Sequence, residues 1–156
     1  MKLKIIAVGT RLPAWVQAGI DHFMRRIQPL QAMEMIEVPV AKRSKNTALA
    51  PLLAAEADAI ERHLKGQEQR IALAVDGRAC SSADLAATLA AWQMAGRDTA
   101  LLLGGPDGLD PRFLAHRSQT LSLSALTLPH ALARLVLVEQ LYRALTLAAG
   151  HPYHRA

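Results

Sequence analysis

The chain has 156 residues, 51% apolar and 20% charged, a balance that suits one globular domain with its own core and excludes a disordered chain. Its net charge of +5 favours a polyanionic partner without requiring one. The single cysteine, Cys80, excludes an internal disulfide framework, fits a reducing cytoplasm, and leaves no zinc-ligand spacing.

Residues 2–8, KLKIIAV, predict a β-strand ended by Gly9-Thr10. The apolar run stops at Gly9, too soon for a secretory signal. No uncharged apolar run approaches the ~18 residues of a membrane span, so a soluble, cytoplasmic protein without a membrane partner is expected. Pro13 opens a helix in which Val16, Ile20, Phe23, Met24 and Ile27 recur at helical spacing until Pro29, with Arg25 and Arg26 in its last turn. Met33–Val38 predicts a second strand. AKRSKN follows it, a loop whose Lys42, Arg43 and Lys45 suit phosphates as well as plain solvent.

Thr47 to Lys65 reads as an amphipathic helix with Leu49, Leu52, Leu53, Ile60 and Leu64 inward. Arg70–Val75 is a more continuously apolar strand, expected to be buried on both faces, after which Asp76-Gly77 turns the chain. Ser81 or Ser82 caps a helix carrying Leu85, Leu89 and Trp92, closed by Gly96. Thr99–Leu103 is a fourth strand, and Asp110-Pro111 begins a short helix through about His116. A fifth strand is expected near Thr120–Leu123. Pro129 opens a last helix through Leu147, its apolar face drawn through Leu132, Leu135, Val136, Glu139, Tyr142 and Leu145. The alternation of strands and helices predicts an α/β single domain, residues 1–156, with a mostly parallel sheet and helices on both faces.

Two loops stand out chemically. Leu101–Asp110, LLLGGPDGLD, runs a strand into a glycine-rich turn, the place where α/β proteins open a ligand crevice. Gly104 and Gly105 leave bare backbone for a flat ligand, though the same residues would serve a ligand-free turn. Pro106 removes an N–H that a polyphosphate cradle would use, and neither phosphate-binding glycine motif occurs. The second loop, Leu123–Leu128, alternates apolar Leu123, Leu126 and Leu128 with Ser124 and Thr127. Such an apolar slot with a few polar groups suits adenine, although leucines plugging the core would look alike.

The stretches LLLGGPDGL, LSLSALTLPH, RLVLVEQLYRA and HPYHRA, with the opening MKLKIIAVGT and the basic AKRSKN, closely resemble the bacterial SPOUT-class methyltransferases that methylate N3 of a pseudouridine in 23S rRNA. The resemblance covers essentially the whole chain, and SLSALTLPH and the terminal YHR carry it most specifically. It implies a C-terminal trefoil knot, a departure from the rule that chains do not thread loops. It also implies S-adenosylmethionine as cofactor, a homodimer whose sites are completed by the partner subunit, and rRNA within the ribosome as substrate. The cofactor contacts then fall on Leu73, Gly104, Leu123, Ser124, Ala125, Leu126, Thr127 and Leu128. Leu73 is the loosest match, because residues 72–79 depart from the family. The last helix, with Tyr142, is expected at the dimer interface.

Methyl transfer from a sulfonium is an in-line displacement that needs alignment more than covalent help. The N3 proton must also leave, which requires a base or a stabiliser of the anionic ring. His130, Tyr153, His154 and Arg155 are the clustered candidates for substrate binding. The residues do not say which of them removes the proton, and no metal is expected. The rival reading is a basic rRNA-binding or assembly factor without catalysis, for which the two ligand-like loops would have no use.

Overall fold

A computed structural model describes residues 1–116 and 120–155. Residue 156, the expected domain end, lies outside them. Among the described residues, five strands form one sheet: β1 (Leu3–Val8), β2 (Met33–Val38), β3 (Gln69–Ala79), β4 (Thr99–Leu103) and β5 (Thr120–Ser122), in the order β2-β1-β4-β3-β5. Every pairing is parallel. Helices α1 (Ala14–Ile27), α2 (Leu49–Glu61), α3 (Ser82–Ala95) and α4 (His130–Ala148) connect or flank them.

The two-residue period of the strands sorts the core into two layers. Leu3, Ile5 and Ala7 of β1, with Leu101 and Leu103 of β4, pack against α1, α3 and α4. Ile6 and Val8, with Ala100 and Leu102, face the opposite way, toward Ile60 of α2 and Leu109. Helices on both faces bury the parallel sheet, as expected.

Local chemistry sets the element ends. The Ser81 hydroxyl accepts from the Asp84 N–H at 3.1 Å while the Asp84 carboxylate accepts from the Ser81 N–H at 3.0 Å, a reciprocal cap that starts α3. Gly96, with φ 66°, ends it. At α4's far end, the Gly150 and His151 N–H groups bond back to the Leu147 and Thr146 carbonyls, and Gly150 takes a positive φ. That Schellman turn folds the tail back along the helix.

Several expectations need correction. α2 begins at Leu49 rather than Thr47, because Thr47 is spent in a turn, its hydroxyl accepting from the Ser44 N–H at 2.9 Å. It ends at Glu61, and Leu49 is exposed rather than inward. The helix expected from Asp110 to His116 is one 3₁₀ turn, Pro111–Phe113.

β3 does not end at Asp76-Gly77 but runs on to Ala79. Leu73 and Arg78 both pair with Leu121, so residues 74–77 bulge out between them. Val75 on that bulge is exposed, so the apolar run does not signal burial on both faces. Gly77 is needed where the strand rejoins its neighbour, since a Cβ there would lie 2.7 Å from the Leu121 backbone.

The buried stripe of α4 runs through Arg134, Leu137, Val138, Leu141, Tyr142, Ala144 and Leu145, about one position away from the face drawn from sequence. Leu and Ala occur all round this helix, so periodicity alone could not orient it. Tyr142 is core, not an outward-facing interface residue.

Candidate active site

The carboxyl ends of β3, β4 and β5 open onto a common cavity of about 720 Å³. Leu73 and the β3 bulge form one wall, Leu103 and the glycine loop Gly104–Leu109 a second, and Ser122–Ser124 with Leu126–Leu128 a third. Pro129, His130 and Ala133 of the α4 start close it. The cavity is of the size that holds small-molecule ligands. Of the residues expected to hold a cofactor, all line it except Ala125, which sits within the same loop.

Gly104 has a different reason from the one read in sequence. A Cβ there would stand 2.3 Å from the Gly108 carbonyl carbon and 2.7 Å from the Leu109 nitrogen, inside the loop's own backbone. It lets the loop close on itself, with the Gly108 N–H donating to the Gly105 carbonyl at 3.0 Å. Gly105 instead admits β1, its Cβ direction meeting Val8 at 3.0 Å. The third wall ties its own turn: the Ser122 hydroxyl donates to the Ser124 carbonyl at 3.0 Å, and the Ser124 hydroxyl accepts from the Leu126 N–H at 3.0 Å. Its leucines are left to line the cavity, and Leu126 projects into solvent at the rim.

His130 lies both in the cavity wall and beside β1, where a Cβ on Gly9 would meet its Nε2 at 3.7 Å. One turn on, Arg134 is only 1% exposed. Its Nη2 donates to the Gly9 carbonyl at 3.0 Å and the Val8 carbonyl at 3.3 Å, and Glu37 stands 3.5 Å from Nη1. Burial pulls the guanidinium below its usual range and Glu37 pulls it partly back, but an arginine so far up the scale keeps its charge. Sequence reading missed this strut. Its only signal was a basic residue four after His130, on a face that periodicity could not orient.

The tail does not join His130. Tyr153 packs on Tyr142 with ring centroids 4.7 Å apart and lies 6.3 Å from Phe23, while its hydroxyl donates to Glu139 at 3.0 Å. Burial and the Glu139 carboxylate raise the phenol's pKa. The Arg143 guanidinium lies 5.1 Å from the same ring. His154 Nδ1 is buried with no hydrogen-bond partner among the described residues, and Arg155 is exposed. Glu139 is nine residues along α4 from His130, about 14 Å at the helical rise. The expected cluster of four is therefore two groups within one chain, separated by about half the length of α4, a distance that sequence proximity ignores.

No group of His, Cys, Asp and Glu suited to a metal occurs among the described residues, and no helix there is long and apolar enough to cross a membrane. The family model described as "Predicted SPOUT methyltransferase" matches residues 1–154. The chain belongs to the SPOUT methyltransferase family. It is 53% identical to a Chromohalobacter salexigens protein named ribosomal RNA large subunit methyltransferase H, over 99% of this chain and all of that one. A Saccharophagus degradans protein of the same name is 48% identical over the same shares. Among solved structures, a protein from Haemophilus influenzae described as a "probable methylase family protein" shares the fold, with a TM-score of 0.55 at 13% identity, covering 99% of this chain and 70% of that one.

Proposed function

We infer that this chain is an S-adenosylmethionine-dependent methyltransferase acting on N3 of a pseudouridine in 23S rRNA. The observation that carries the reading is a nucleoside-sized cavity, walled by leucines and loop backbone, in a chain matching rRNA methyltransferases from end to end. The residues present suit the cofactor: Leu73, Leu103, Leu109, Leu123 and Leu128 offer apolar walls for adenine, and the main-chain groups of residues 104–108 and 123–128 offer hydrogen bonds. When bound, S-adenosylmethionine supplies a methyl group on a sulfonium for in-line displacement. The chain's own task is then to align the acceptor nitrogen and accommodate the loss of its proton. His130, in the cavity wall and braced beside Gly9, faces the acceptor in this reading. Leu73, Gly104 and residues 123–128, Ala125 included, hold the cofactor.

The chain acts as one domain, residues 1–156, with a C-terminal trefoil knot, and as a homodimer in the cytoplasm. The separation of the tail from His130 supports the dimer: Tyr153, His154 and Arg155 serve the substrate of the partner's pocket rather than their own. Arg155, exposed, is the group suited to a phosphate or the anionic ring. Leu132 and Val136, left half-buried on α4, give the second subunit apolar surface to cover.

The test is a methylation assay with labelled cofactor on free 23S rRNA, large subunits and complete ribosomes, followed by mass spectrometry of the pseudouridine. Methyl incorporation at N3 on an assembled particle is expected. Binding to RNA with neither cofactor affinity nor incorporation would make the protein a non-catalytic assembly factor instead.

A further inference from the structure

A parallel sheet gathers the carboxyl ends of its strands at one edge, so the segments leaving β1 and β2 emerge beside those that build the cavity. The Gly9 N–H bonds to the Val38 carbonyl at 2.7 Å, which joins these two exits directly. From β1 the chain continues through Arg11 to Trp15 in the first turn of α1. Trp15 is 64% exposed, although Val16 beside it is buried. From β2 it continues into residues 39–48, which are pinned to α2 because the buried Glu56 accepts from the Ala41 N–H at 3.0 Å.

Charge on this edge is one-sided. Arg11, Lys42 and Lys45 are exposed and pair with no carboxylate among the described residues. The acids nearby are mostly engaged: Asp107 by Arg43, Glu37 by Arg134, Asp110 by Arg112. The Arg43–Asp107 pair also fastens the basic loop to the glycine loop of the cavity, so loop and cavity share one rim. An exposed indole and unpaired cations at one sheet edge are the combination that single-stranded nucleic acid recognises, stacking a base on the ring and setting phosphates on the charges.

We propose that the β1–α1 turn and the β2–α2 loop form a platform for an unpaired stretch of rRNA flanking the target nucleotide, with Trp15 stacking one base and Arg11, Lys42 and Lys45 contacting phosphates. The proposal rests on the methyltransferase reading for its substrate and on the topology for its place. A second copy of this chain over Trp15 is the competing occupant. It accounts for the indole but not for cations that would face their own copies.

The sequence holds two tryptophans, and Trp92 is buried at 6% exposure, so quenching of the intrinsic fluorescence by added RNA reports on Trp15. Single-stranded oligouridine should quench it in a salt-dependent manner, a duplex of equal length much less, and Trp15→Phe should lose the signal. In ribosome methylation, Trp15→Ala should raise KM about tenfold, ~1.4 kcal/mol, with kcat and cofactor affinity unchanged, and Trp15→Phe should restore most of it. Equal quenching by duplex and single strand, or an unchanged KM in Trp15→Ala, overturns the platform. So does an emission that shifts with protein concentration alone, joined to a Trp15→Ala protein that becomes monomeric, because the indole then belongs to an interface between copies. If the wild type methylates no RNA, the enzymatic reading fails, while the quenching arm still decides the platform.

Discussion

Among single residues, the glycine loop shows how a position can matter for a reason other than the apparent one. Gly108 has a positive φ of 81° with nothing within 4 Å of a Cβ, whereas Gly104 has no such φ but no room at all. Gly108→Ala should therefore cost stability of about 1 kcal/mol, the penalty of a left-handed alanine, and leave the cavity shaped as it is. Gly104→Ala must push the backbone of Gly108–Leu109 aside and deform the second wall. Its affinity for S-adenosylmethionine, measured by calorimetry, should fall more than about tenfold, ~1.4 kcal/mol. Equal affinities in the two variants would show that loop closure at Gly104 does not shape the site.

At the level of elements, α4 links the two halves of the proposed site: its first two turns carry His130 and Arg134, and its middle anchors the tail. The Schellman turn at Gly150 and the Tyr153–Tyr142–Phe23 cluster make the tail part of the fold rather than a loose end. Truncation after Pro152 should then lower unfolding free energy by about 1–3 kcal/mol in urea titrations, the scale of a lost aromatic packing group. Tyr153→Phe, which removes only the hydroxyl donated to Glu139, should cost about 1 kcal/mol. Truncation should also nearly abolish methyl transfer while changing cofactor affinity less than about threefold, under ~1 kcal/mol. A truncated protein as stable as the full chain would mean that the cluster holds nothing in solution.

Across the whole molecule, β1 is fastened to the α2–β3 connection by a buried ion pair. Lys4 Nζ donates to Glu68 at 2.6 Å and to the His63 carbonyl at 2.8 Å, and both side chains are almost fully enclosed. Burial pushes the Glu68 carboxyl up, but the Lys4 hydrogen bond, the Lys65 N–H and the charges of both lysines bring it below its ordinary value. A carboxyl lowered by folding stabilises at neutral pH, and that contribution disappears as the pH falls through its folded value. Thermal stability should accordingly drop in acid, below the ordinary carboxylate range, and Glu68→Gln should flatten that part of the profile. Lys4→Met strands a buried carboxylate and should cost about 3 kcal/mol at neutral pH. For the assembly, sedimentation at micromolar concentration should give about twice the 16.9 kDa chain mass. A fully active monomer would leave the separated tail without a site to serve.

The sequence alone determined most of what depends on local pattern. Residues 3–8, 33–38 and 99–103 alternate or run apolar strongly enough to be strands, Pro13, Gly96 and a serine at 81 or 82 mark helix ends by their own local chemistry, and the motif blocks identified the family. It located both loops that line the cavity because each follows directly on a strand. Tertiary structure alone decided what depends on partners far along the chain. Only β5 lying beside β3 turns residues 74–77 from a chain reversal into a bulge that walls the cavity. Only the packing of α1 and α3 decides which side of an evenly apolar α4 is inward, and so why Arg134 is buried. Gly104 was legible as a glycine the loop needed, but its contact is with Gly108, and that proximity exists only once the loop has closed. The tail's distance from His130 follows from a rigid helix between them, a length that residue types near the chain's end do not reveal.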